Sequence, residues 1–400
     1  MTSGKQNPKR KKNKTNSSPY KMTVQQAMSL NASTIIGVGV LTLPRSVTDA
    51  GHQFGWYSVL LGLLYGVLGI FVVVKLGARF PGKTFVEFSS EILGSQKVKW
   101  LGPVIRFPLI LIYSLYWALV CSLVARIFGE VVVTAVLTNT PLEVIVGTML
   151  LLCLYLAWHD VEVVTRVNEV LLIIIVIPVL FISLSAYQNA QMEFIMPLVP
   201  YDGYWFQLLQ GSLPVMTSFL GFECMLMFNK HLQEDRKMMR YQIYGILVPG
   251  VLYLLIVIAG IMAFGYEELS RQAWPTLELI KSVNVPGLIL ERLEAVFLGV
   301  WVAAVFTTAG TWFYCANWTL SELIGRPHKR RWITVAYVLL IYLLAMRLGG
   351  NVQELFRTTD YAGYGGIVLA FVIPGLLLLI AMARKLDHRG EKEEESREAS

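Results

Sequence analysis

Glu223 is the only acidic residue in the apolar run from Tyr204 to Lys230, where it follows Gly221 by two positions and Pro214 by nine. A carboxylate at membrane depth is expensive, and its usual uses are contact with a ligand, a proton or a partner group. It can also lock an interrupted helix by accepting backbone N–H bonds, and the sequence leaves both roles open. The matching feature earlier in the chain is MTVQQAMSLNASTIIGVGVLTLPR, residues 22–45. There Gly37 and Gly39 lie among Val, Ile and Thr with Pro44 following, which predicts an unwound turn between Gly37 and Thr42. Non-helical backbone within a bilayer persists only where protein or a water-lined cavity satisfies it, so both interruptions are candidate binding sites. A glycine-rich packing face is the alternative for the first of them.

Helix ends at these breaks would present N–H groups around Gly39, Val40 and Leu41 and around residues 219–223, which attract a carboxylate. Neighbouring carbonyls would accept an ammonium group or a cation, so a zwitterionic amino acid matches both ends. Thr34, Thr42, Thr217 and Ser218 supply hydroxyls that contact a ligand or simply cap the freed backbone. Tyr113, Tyr116 and Trp117 on one long apolar segment, and Phe306, Thr307, Thr308, Gly310, Thr311 and Tyr314 on another, offer aromatic walls with a few hydroxyls. Ordinary packing is the competing use of such aromatics.

Other chemistry finds little support. Glu291, Arg292 and Glu294 read as a solvated ion-pair group without catalytic geometry. Cys121, Cys153, Cys224 and Cys315 each fall in an apolar segment with no disulfide or metal-ligand spacing, and read as small hydrophobes. GKT at residues 82–84 lacks the upstream glycine of a phosphate-binding loop. An enzyme is therefore not expected, and neither a cofactor nor a metal.

The elements that position these residues are membrane spans. The 400-residue chain is 55% hydrophobic and 15% charged, with repeated apolar runs near spanning length. Ten spans are expected, at roughly 24–44, 55–77, 103–136, 141–158, 163–186, 205–229, 242–265, 287–323, 332–347 and 361–383. With the N-terminus inside, 27 of the 34 Lys and Arg fall on cytoplasmic segments, so the net charge of +7 reports topology rather than nucleic-acid binding. Segment 187–204 has no basic residue and is the clearest external loop. Residues 1–21 carry seven basic side chains and no acid, which reads as a disordered cytoplasmic tail able to touch anionic lipid, not as a signal peptide. Residues 385–400 read as a second, charged cytoplasmic tail.

The third and eighth spans are too long for upright crossings and lie five spans apart. Five is odd, so a repeated five-helix unit would be inverted in the membrane. Units at 22–190 and 203–384 then pair the interrupted first span with the sixth, the sequence pointer to a central site in an inverted-repeat transporter fold.

The order of motifs resembles the spore germination permease family, the integral-membrane B subunit of nutrient germinant receptors, within the amino acid, polyamine and organocation transporter superfamily. The resemblance covers about residues 20–385 and rests on VQQAMSLNASTIIGVGVLTLP, FPGKTFVEFSSEILG, the stretch around FLGFE, and ERLEAVFLGVWV at 291–302. It implies an all-α integral membrane protein with ten transmembrane helices, a leucine-transporter-like 5+5 inverted repeat with helices 1 and 6 broken. It further implies a subunit that senses amino acids or other small nutrients in the inner spore membrane beside a larger membrane A subunit and a lipoprotein C subunit. The ligand region it implies covers residues 34–41, 113–117, 217–223 and 306–311. A free-standing amino acid transporter working by alternating access fits the breaks equally well, and only the ERLEAVF and FPGKTFVEF stretches favour the receptor.

Overall fold

The computed structural model describes residues 20–94, 101–201, 203–283, 293–325 and 330–387. The basic tail ahead of Tyr20, Glu291 and Arg292, and the charged tail beyond Asp387 lie outside them. The chain is all helical. Its elements are α1 (Val24–Ile36), α2 (Gly39–Gly51), α3 (Gly55–Gly77), α4 (Phe85–Leu93), α5 (Leu101–Ala135), α6 (Leu142–Ala157) and α7 (Val161–Ser185). After the external segment come α8 (Trp205–Ser218), α9 (Met225–Phe228), α10 (Met238–Arg271), α11 (Pro275–Lys281), α12 (Leu293–Ile324), α13 (Arg330–Arg347), α14 (Val352–Ile367) and α15 (Ile373–Ala383). A short π-helical stretch, Val368–Val372, joins the last two.

Among the described residues, six helices are long and apolar enough to cross a bilayer, or seven if α8 and the segment 222–231, bent by 46°, count as one. The usual burial pattern is inverted in two ways that a lipid solvent demands. Large side chains such as Leu64, Leu68, Ile173, Ile177 and Phe181 face outward. Polar ones such as Ser33, Asn168, Asn31 and Gln242 are buried and paired, through Ser33 Oγ to Asn168 and Asn31 Nδ2 to Gln242. Unpaired polar groups cost several kcal/mol in hydrocarbon, so the polar side chains collect in the bundle interior.

Packing in the two halves of the chain is paired. The α1–α2 pair lies along α10, and the α8–α9 pair lies along α3. α6 packs on α12 as α13 packs on α5. α7 touches α1 and α12, while α14 touches α8 and α5. The long helices α5 and α12 pack on each other, with Ser114 Oγ 2.9 Å from the Ala316 carbonyl. Each contact made by the first half thus has a counterpart made by the second, the pattern of an inverted repeat.

Three details depart from the sequence expectation. α10 runs beyond residue 265 to Arg271, with a non-helical kink at Gly265. A short helix, α4, follows the second span, opened by a capping box in which Thr84 and Glu87 bond each other's backbone N–H. At the inner end, Met22 pairs with Leu232 as an isolated parallel bridge: Met22 N–H reaches the His231 carbonyl at 2.7 Å, and Gln233 N–H reaches the Met22 carbonyl at 3.0 Å.

Candidate functional site

The first interruption is tighter than the sequence implied. α1 ends at Ile36, Gly37 takes φ −4° and ψ −114°, and helix resumes at Gly39. Helical geometry therefore returns before Thr42, and Pro44 sits inside α2. Proline lacks the N–H that would bond the carbonyl four residues back, which leaves Val40 O short of a donor. The Thr276 hydroxyl of α11 fills that place at 2.6 Å.

The carbonyls freed at the end of α1 are also spoken for. Ser33 O accepts from Thr307 (3.3 Å) and Thr308 (3.1 Å), Ile35 O and Ile36 O accept from Tyr253 (2.7 and 3.3 Å), and Gly37 O accepts from Trp301 Nε1 (3.1 Å). These carbonyls thus serve α10 and α12, where the sequence reading offered them to an ammonium group.

The second interruption lies at 219–221, between α8 and a 3-10 turn, Phe222–Cys224. Gly221 adopts φ +129°, a conformation that side chains resist, and its N–H donates to Glu223 Oε2 at 2.8 Å. Glu223 is fully buried and locks the turn as the backbone-accepting role required. Its Oε1 has no partner, and the Trp117 indole N–H approaches the carboxylate without reaching hydrogen-bond geometry.

A cavity of about 120 Å³ opens where the two breaks meet. One water needs roughly 10–15 Å³ on this measure, so the space holds a small organic molecule and not a bulky one. Thr34 and Ile35 of α1, the Val38–Gly39 turn, and Thr217 and Ser218 of α8 form one side. Tyr116, Val120 and Val124 of α5, with Thr308 and Trp312 of α12, form another. Thr359, Ala362 and Gly363 of α14 close the third. No lining side chain is charged. Thr34, Thr217 and Ser218 donate their hydroxyls to carbonyls of their own helices, at 2.6, 2.7 and 3.3 Å, which is the capping use of those residues.

Of the residues singled out from sequence, Thr34, Gly39, Tyr116, Thr217 and Ser218 line this cavity. Gly37 and Gly221 border it through close packing: a Cβ at Gly37 would stand 2.8 Å from Thr308 Cβ, and one at Gly221 would stand 3.0 Å from Thr34 Cγ2. Val40, Leu41, Tyr113, Trp117, Glu223, Phe306, Thr307 and Thr311 do not line it. Tyr113 instead donates to the Leu369 carbonyl beside the π-helical stretch, Thr307 braces Ser33 O, and Thr311 bonds the Thr307 carbonyl. Sequence reasoning missed Trp312 and the whole α14 wall. The available signal was the spacing of Thr359, Gly363 and Gly366, which places small residues on one helical face.

The inner side of the bundle is closed by a polar cluster built on the FPGKTFVEF segment. Asn229 Nδ2 donates to Phe80 O and Lys83 O, Lys230 Nζ lies 2.7 Å from Glu87 Oε1, and Thr84 Oγ1 lies 2.9 Å from Glu322 of α12. Partial burial of Glu87 opposes its ionisation, but the Lys230 ammonium and the Thr84 N–H outweigh it and hold the carboxyl below its ordinary range.

This architecture has known counterparts. The fold matches a solved structure of MHP1, a nucleobase-cation-symport-1 family transporter, in a closed conformation with bromovinylhydantoin bound. The TM-score is 0.65 over 90% of this chain and 78% of that one, at 11% identity. By sequence, the chain is 30% identical to spore germination protein YndE of Bacillus subtilis, over 93% of this chain and 98% of that protein. It is 28% identical to spore germination protein A2 of the same organism, over 92% and 98%. Against spore germination protein B2 the identity is 25%, over 94% and 99%. The family model described as spore germination protein matches residues 21–351. A multi-pass bundle that matches this model over most of its length is not a member of a catalytic family: the chain belongs to the spore germination protein family, as one of its membrane components.

Proposed function

We propose that this chain is the nutrient-sensing membrane subunit of a spore germinant receptor, and that it binds a neutral amino acid in the cavity between the two breaks. The observation that carries the reading is the uncharged, partly apolar cavity bounded by α1, α5, α8, α12 and α14. A ligand there must balance its own charge, as a zwitterion does, and must be compact. In this reading the chain has ten spans, with α1–α2 as a broken first and α8–α9 as a broken sixth. Residues 22–190 and 203–384 are the two inverted units, flanked by cytoplasmic tails at 1–21 and 385–400. Closure of the cavity around the nutrient would be relayed to A-type and C-type partner subunits.

The test is direct binding of the twenty common L-amino acids to the full-length chain in lipid nanodiscs. A neutral one should bind, and Ala362→Phe, which fills the cavity, should abolish binding while the protein stays folded. Unchanged affinity in that variant would reject the location. The likeness to a transporter structure favours a second reading, a free-standing amino acid transporter. Concentrative uptake into liposomes by the lone chain would select it, whereas a receptor subunit binds without accumulating.

A further inference from the structure

We propose that the ligand's acceptor group is held by a fork of two neutral donors, the Tyr116 O–H of α5 and the Trp312 Nε1–H of α12, and not by helix ends. This rests on the cavity reading above and deepens it. Both residues line the cavity, Tyr116 is 7% and Trp312 2% exposed, and neither polar atom has a hydrogen-bond partner among the described residues. Their rings lie edge to face with centroids 5.8 Å apart. Buried donors are almost always paired, and an orphan one calls for a group that is absent from the protein itself.

The other donors and acceptors around the cavity are already used. Thr34, Thr217, Ser218 and Thr308 donate to backbone carbonyls. The carbonyls at the end of α1 receive Thr307, Tyr253 and Trp301. The cavity therefore presents unspent N–H and O–H groups, and the complementary ligand carries a carboxylate or a carbonyl. With no charged lining residue, that acceptor belongs to a molecule without a charged side chain. α14 holds the fork in place, because Gly366 lies against the Tyr116 hydroxyl and a Cβ there would meet it.

The experiment compares, on the full-length chain in nanodiscs, the neutral L-amino acid that binds best and the amine that corresponds to it without the carboxyl group. Tyr116→Phe and Trp312→Phe keep ring and volume and remove one donor each. Each should weaken amino acid binding by roughly 3- to 10-fold, the range of a single neutral hydrogen bond, and leave the amine's affinity unchanged. Gly366→Ala, which displaces the Tyr116 hydroxyl without touching Trp312, should reduce the same preference. Thermal midpoints matching the wild type exclude misfolding as the cause. If the two Phe variants bind the amino acid as the wild type does while Ala362→Phe still blocks it, the cavity stands and the fork is wrong. If Ala362→Phe also leaves binding intact, or if none of the twenty amino acids binds, both are wrong.

Discussion

Gly221 of the second break lies against Thr34 of the first, so close that a Cβ on the glycine would stand 3.0 Å from Thr34 Cγ2. The two interruptions are thus one packed unit rather than two separate loops. Gly221→Ala adds a side chain at φ +129° and pushes on Thr34, at a cost on the order of 1–3 kcal/mol. Thermal unfolding in detergent should show a lowered midpoint, and ligand affinity should fall because Thr34 lines the cavity. A variant as stable as the wild type would contradict the packing.

Thr276 supports the other break from a distance. Its hydroxyl donates to Val40 O, the carbonyl that Pro44 leaves without a helical partner. Thr276→Val removes the donor at nearly constant volume and strands a buried acceptor, a loss of roughly 1–3 kcal/mol. Thr276→Ser should recover most of the stability, and equal loss in both variants would mean that packing, not the hydrogen bond, matters there.

Arg126 and Glu130 of α5 form an ion pair at 2.8 Å in which Arg126 also donates to Ala345 O and Gly349 O, at the end of α13. Breaking a largely buried pair leaves a lone charge, so Arg126→Ala should cost about 3 kcal/mol. The double variant with Glu130→Ala should be less damaged than the single one. Additive losses in that double-mutant cycle would show the two residues to be independent.

The pH response of the inner cluster has a definite sign. The folded Glu87 carboxyl titrates below its unfolded value, so its pairing stabilises the fold fully above the ordinary carboxylate range, near pH 4.3. That contribution is lost as pH falls through the lowered folded value. Glu87→Gln should flatten the acid side of the stability profile and change little at neutral pH. Both side chains are 39% exposed, so the effect should be small and should shrink further in salt. A profile identical to that of the wild type would remove Glu87 from the acid response.

Legibility from sequence followed the range of the interactions. Gly37, Pro214 and Gly221 announce their breaks because helix propensity is local, and the basic loops announce the orientation for the same reason. Glu223 declared itself by its cost, and its lock on Gly221 spans only two residues. The use of the freed carbonyls did not declare itself. Tyr253 and Trp301 reach Ile35 and Gly37 across more than two hundred residues, and nothing in a run of apolar helix marks which aromatic turns inward. The α14 wall was hidden differently, since Ala362 and Gly363 look like any close-packed face. The first break is short because Thr276 compensates Pro44, a pairing that only the folded chain brings together.

Met22 and Leu232 are joined by two backbone hydrogen bonds, which couples the start of α1 to the strand that leaves α9. Those half-helices are the inner arms of the two breaks, and the bridge makes them a single lever. Torque applied to one arm is delivered to the other without passing through the cavity. The chain ahead of Tyr20 is the natural handle of that lever, so whatever grips it on the inner face, a bilayer surface or a neighbouring subunit, pulls on both interruptions at once.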